Sequence, residues 1–145
     1  MYTLEVYLSQ KNMPDITAWK AAITKAGFNV ELDCLEMASV FDMFTSNGYV
    51  PTRVLGKLSG FEHHVHPISA EELRQIGLEG DFDLVVQFDY GSRPYEIAAA
   101  YTAASVLASI SSGIFLGPQY GDSCDLLSPE EAIEQAKQIW LLLKI

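Results

Sequence analysis

Residues 2–8, YTLEVYL, alternate: Tyr2, Leu4, Val6 and Leu8 fall on one face, Thr3, Glu5 and Tyr7 on the other. A period of two predicts a half-buried strand. After Pro14 and Asp15 the period lengthens, and Ile16, Trp19, Ala22, Ile23 and Ala26 make the stripe of a helix that Gly27 stops. FNVELD (28–33) reads as a second short strand, giving a β-α-β opening. Residues 34–48, CLEMASVFDMFTSNG, keep no crisp period and read as an irregular segment with room for a short helix, closed by a turn at Asn47-Gly48. Two strands follow at 49–55 and 60–66, joined by a loop containing Gly56 and Gly60.

Ser69-Ala70-Glu71-Glu72 has the spacing of a capping box, in which the serine hydroxyl accepts from the amide three residues on while Glu72 reaches back. It opens a short helix that ends at Gly77. DFDLVVQFDYG (81–91) is the plainest strand of the chain, with Phe82, Leu84, Val86 and Phe88 sharing a face. SRPYEIAAAYTAASVLASISSG predicts the longest helix, Pro94 in its first turn and Gly113 at its C-terminal cap. Its low bulk predicts a face packed very close against the sheet. IFLGP (114–118) follows as a short buried strand, and Ser128-Pro129-Glu130-Glu131 is a second capping box. That box starts a last helix whose apolar side is Ile133, Ala136, Ile139, Trp140 and Leu143. No linker or break in composition divides residues 1–145, which predicts one domain. Alternating elements with hairpin-like pieces predict an α+β sandwich: a mixed or mainly antiparallel sheet with helices on one face. Two β-α-β halves in a ferredoxin-like arrangement are the expected topology.

Composition narrows the partners more than the fold. Hydrophobic residues make up 49% of the 145 and charged residues 19%, enough apolar material for a single core. Nineteen acidic residues against nine basic ones leave a net charge of −10. Such a surface repels phosphate backbones and anionic membranes and attracts a basic protein, although solubility alone would also account for it. Cys34 and Cys124 form no CxxC pair and are too few for a disulfide framework, so reduced thiols in a cytoplasmic protein are expected. MYTLEVYLSQKN has neither the basic nor the apolar region of a signal peptide. Residues 97–116 carry no charge over a bilayer-spanning length. Their Ala, Ser and Thr gain little in lipid and Gly113 interrupts them, so a core helix and a buried strand explain them better.

All three histidines lie in GFEHHVHPI (60–68). On a strand, Glu62, His64 and His66 point one way and Phe61, His63 and Val65 the other. The first set has the chemistry of a carboxylate-imidazole metal site. Same-face neighbours on one strand stand about 6–7 Å apart. Three in a row therefore converge poorly, and no H-x-x-x-H helix or CxxC pair offers further ligands. The plain alternative is a solvent-facing polar stripe over buried Phe61 and Val65. The chain contains no G-x-S-x-G, G-x-G-x-x-G or G-x-x-x-x-G-K, and neither cysteine sits where its thiolate would be favoured. Neither a catalytic group nor a cofactor is called for.

Asp89, Tyr90, Ser92, Arg93 and Glu96 fall where the plainest strand turns into the longest helix, a common place for binding groups, although Asp89 and Ser92 would also serve there as helix caps. Asp81 and Asp83, beside Glu79, and the loop bearing Tyr120 and Asp122 complete the polar candidates. An exposed tyrosine flanked by acids suits a protein contact. The succession GYVPTRVLGKLSGFE, DFDLVVQFDYGSRPYEIAAAYTAASVLASISSGIFLGPQ and SPEEAIEQAK, over about residues 48–138, resembles small bacterial immunity proteins of contact-dependent or secreted antibacterial toxin systems. That resemblance implies a small, acidic, cytoplasmic, non-enzymatic protein that binds a basic toxin domain and occludes it. The contacts expected for it are Asp81, Asp83, Asp89, Tyr90, Tyr120 and Asp122. Two other expectations stand beside it: a metal-binding protein or metal-dependent enzyme centred on Glu62, His64 and His66, and a homodimeric accessory protein.

Overall fold

The computed structural model describes residues 1–33, 48–118 and 125–145. In chain order the elements are β1 (Tyr2–Leu8), α1 (Ile16–Lys25), β2 (Val30–Leu32), β3 (Gly48–Val54), β4 (Lys57–Pro67), α2 (Ala70–Gln75), β5 (Leu84–Tyr90), α3 (Pro94–Ser111), β6 (Ile114–Leu116), β7 (Leu126–Leu127) and α4 (Pro129–Leu143). The local start signals work as their chemistry dictates. The Asp15 carboxylate accepts from the Ala18 amide at 2.7 Å, and both capping boxes form, Ser69 with Glu72 and Ser128 with Glu131. The two hydrogen bonds that Ser128 gives Glu131 hold its carboxyl below the usual glutamate range. The irregular segment read at 34–48 lies outside the described residues as far as residue 47.

The strands form one sheet in the order β2-β3-β4-β5-β1-β6-β7, with every neighbouring pair antiparallel. The fold is thus α+β on an antiparallel sheet. The β1–α1–β2 and β5–α3–β6 passages join strands that are not neighbours, whereas β4–α2–β5 joins adjacent ones. The strands β5 and β6, linked by α3, flank β1, whereas β3, β4 and β5 stand between β1 and β2.

Helices α1, α3 and α4 cover one face, where Leu4, Val6, Leu8, Val86 and Phe88 pack with Trp19, Ile23 and Leu107. Every residue of α3 from Ala98 to Ala108 is buried, as befits a helix enclosed on all sides. Two tryptophans tie it in place. The Trp19 indole of α1 donates to the Ala103 carbonyl at 3.1 Å, and the Trp140 indole of α4 donates to the Thr102 hydroxyl at 3.0 Å. The charge-free run 97–116 is the body of α3 followed by β6, and no helix among the described residues is long and apolar enough to cross a membrane.

The helices are not confined to one face. Leu73 of α2 joins Tyr7, Leu78, Val85 and Leu116 in a smaller cluster on the opposite side, and Phe82 packs there rather than with Leu84, Val86 and Phe88. Two glycines also differ from expectation. The β3–β4 turn consists of Leu55 (φ 52°) and Gly56 (φ 78°) alone, a primed two-residue turn, and Gly60 lies inside β4. A side chain at Gly60 would run into the Tyr49 ring and stand 2.6 Å from the Val50 carbonyl oxygen. At the end of α3 it is Ser112 that takes the left-handed conformation, at φ 54°. Gly113 is needed for a different reason: a Cβ there would stand 2.6 Å from the Tyr7 carbonyl oxygen. Away from α2 the open face of the sheet is polar, and that is where the candidate chemistry lies.

Candidate metal centre

Strand pairing places Tyr49 of β3 opposite Glu62 of β4, Glu62 opposite Asp89 of β5, and Asp89 opposite Thr3 of β1. One register position along, His64 pairs with Gln87 and Gln87 with Glu5. Side chains opposite each other in neighbouring strands start about 5 Å apart, and diagonal neighbours remain within reach of long side chains. A donor from the next strand can therefore join two from one strand, where three in a row would converge poorly. A carboxylate oxygen of Glu62, one of Asp89 and a ring nitrogen of His64 all lie within 4.8 Å of one another.

Asp89 is the fixed member. Its side chain is 8% exposed, and its Oδ2 stands 3.3 Å from His64 Nε2. The Thr3 hydroxyl and the Gln87 amide donate to its Oδ1 at 2.7 Å and 3.1 Å. Those two donors leave Oδ2 aimed at the imidazole, the kind of outer support that orients a metal-binding carboxylate. Donors sharing an ion at about 2.1 Å stand roughly 3–3.5 Å apart, so His64 and Asp89 already have a usable spacing. The remaining adjustment falls to Glu62, which is exposed and has the rotamer freedom to make it. Among the described residues no lysine or arginine pairs with Glu62 or Asp89.

The three histidines separate. His63 is buried on the inner face, His64 belongs to the donor cluster, and His66 stacks on His64 with ring centroids 6.3 Å apart but lies outside the cluster. The expected set of Glu62, His64 and His66 is thus corrected to Glu62, His64 and Asp89, because the third donor comes from the adjoining strand. Asp89, expected at a partner surface or as a helix cap, is a buried strand residue and not the cap: the N-cap of α3 is Arg93, which makes no side-chain cap bond. Tyr90 is also buried, with its ring edge-on to Tyr101 at 6.0 Å, and offers no surface to a partner. Asp81 and Asp83 are exposed, and Asp83 accepts from the Gln10 amide at 2.7 Å. They precede β5, whereas Asp89 lies near its far end, so these acids do not form one patch. Tyr120, Asp122, Cys34 and Cys124 lie outside the described residues.

Sequence reasoning missed Thr3, Gln87 and Tyr49. The available signal was the polar phase of their strands, but it does not say which strands lie side by side. Burial first, and then the Glu96 carboxylate, raise the Tyr49 phenol above its usual ionisation range. On the other side of Gln87 a cavity of about 430 Å³ is lined by Tyr2, Thr3, Glu5, Gln87, Gly117 and others. It shares Thr3 and Gln87 with the supports of Asp89. Compared with protein-family models, curated proteins and solved structures, the chain matches none, so the centre is read from its own chemistry.

Proposed function

We propose that this protein binds a divalent first-row transition metal ion through Glu62, His64 and Asp89 on the open face of its sheet. The observation that carries the reading is the convergence of two carboxylates and one imidazole from adjacent strands, with the buried carboxylate oriented by Thr3 and Gln87. Imidazole suits zinc, iron, copper and nickel, while carboxylates alone would favour magnesium, calcium or manganese; the mixed set selects a borderline ion. Three protein ligands leave a position for water or a ligand, the pattern of reactive rather than purely structural sites. The scaffold extends this reading. Without the β3–β4 hairpin the strand order would be β2-β5-β1-β6, two interlocked β-α-β halves of ferredoxin-like type, and β4 of that hairpin supplies Glu62 and His64.

The test is elemental analysis of the purified chain, then titration of the chelator-stripped protein with Zn²⁺, Fe²⁺ and Mn²⁺ by calorimetry. About one equivalent of metal is expected, with affinity falling at least about tenfold in Asp89→Asn and in His64→Ala. Folded protein that takes up none of the three ions, or variants that bind as well as wild type, would overturn the proposal.

A further inference from the structure

A second cavity, also about 430 Å³, opens where the end of α4 meets the α1–β2 loop and the β3–β4 turn. Its walls are mainly apolar: Phe28, Leu55, Trp140, Leu141 and Ile145. They are also held. The Phe28 and Trp140 rings lie 6.1 Å apart at 41°, and the Trp140 indole is anchored to Thr102. The Leu55 amide donates to the Asn29 carbonyl at 3.0 Å, fastening the turn to the loop. A pocket of this size with preformed apolar walls suits a small-molecule ligand. Leu141 and Leu142 are 78% and 74% exposed beside it, large apolar side chains left in water.

Among the described residues lining this cavity Lys137 is the only one with a charged side chain, in a chain of net charge −10. It precedes Trp140 and Leu141 by three and four residues, so all three share one face of α4. An ammonium group at the edge of an apolar slot is complementary to an anionic head carried on an apolar tail. We infer that the cavity is a binding site for a small amphiphilic carboxylate, an aliphatic or aromatic monoacid. Its carboxylate would meet Lys137, and its tail would lie between the Phe28–Trp140 pair and Leu55–Leu141. The inference is independent of the metal centre on the open face.

Decanoate, decanol and decylamine, each below its micellar range, can be titrated into the full chain while tryptophan emission is followed. Trp19 is fully buried, so a change in emission reports on Trp140. Decanoate is expected to saturate one site and shift the emission to shorter wavelength, with decanol weaker and decylamine weaker still. Lys137→Gln should weaken decanoate about tenfold, the worth of one charge-assisted contact, and leave decanol unchanged. Leu141→Glu, at an exposed position that folding does not depend on, should abolish binding of decanoate. Equal affinity for all three probes, no saturable binding, or an unchanged decanoate affinity in Lys137→Gln would each overturn the inference. Self-association that hides Trp140 and is dispersed by Leu141→Glu would assign the face to a second copy of the chain instead.

Discussion

Glu62 and Asp89 stand directly opposite each other on β4 and β5. Two carboxylates in that relation repel, and like charges across a strand pair reduce stability by a few tenths to about 1 kcal/mol. His64 touches only the Asp89 side of the pair, at 3.3 Å, and Glu62 has no basic partner among the described residues. The sequence tolerates this repulsion for a reason if a cation sits between the two groups. That makes the sign of one substitution diagnostic. Glu62→Gln should stabilise the metal-free protein by about 0.5 kcal/mol, because it removes the repulsion. The same change should weaken metal binding, because it removes a ligand. Urea unfolding of both proteins with chelator, and again with saturating metal, reads the two effects separately. Loss of stability in the chelated variant would mean that the carboxylate pair is not strained, and the argument from repulsion would fail.

Within single elements the chain is governed by local and cross-strand contacts, and only the first kind can be read along a sequence. Asp15, the two Ser-x-x-Glu boxes, Pro94 and the alternation of β1 act within a few residues of themselves, and each places its element as its chemistry demands. Gly60 is different. Read along the chain it marks a loop, yet it lies in the middle of β4 because the Tyr49 ring and the Val50 carbonyl of β3 occupy the space a side chain would need. Gly60→Ala should therefore cost about 1–3 kcal/mol, the range for forcing extra carbon into packed structure. Thermal unfolding of the variant checks the cost, and combining it with Tyr49→Ala should recover only part, since the Val50 contact is with backbone. Full recovery would mean that the ring alone made the glycine necessary. The same limit hid the third member of the donor cluster. Asp89 is legible as a polar residue in a strong strand with Gln87 on the same face, but its partners Thr3 and His64 come into view only once β1 and β4 are known to flank β5.

At the scale of the whole molecule, the order β2-β3-β4-β5-β1-β6-β7 brings the first strand of the chain between β5 and β6, and no local periodicity encodes that insertion. Its consequence is that donors and supports from residues 3, 62, 64, 87 and 89 depend on the sheet being assembled, so the proposed binding of an ion would be linked to the stability of the fold. An ion that binds only the folded chain at a hundredfold excess over its dissociation constant adds about 2.7 kcal/mol. For a domain of this size that corresponds to a rise in Tm of roughly 5–11 °C. A divalent ion also lowers the magnitude of the net charge from −10 to −8 (−10 + 2), which eases self-repulsion. Added sodium chloride relieves the same repulsion by screening, in wild type and variants alike. The linkage is therefore tested by scanning calorimetry in fixed salt, with metal or chelator, on wild type and Asp89→Asn. A rise confined to wild type is the outcome that binding at Glu62, His64 and Asp89 requires. An equal rise in both proteins would place the ion on the diffuse acidic surface and leave the open face without its metal.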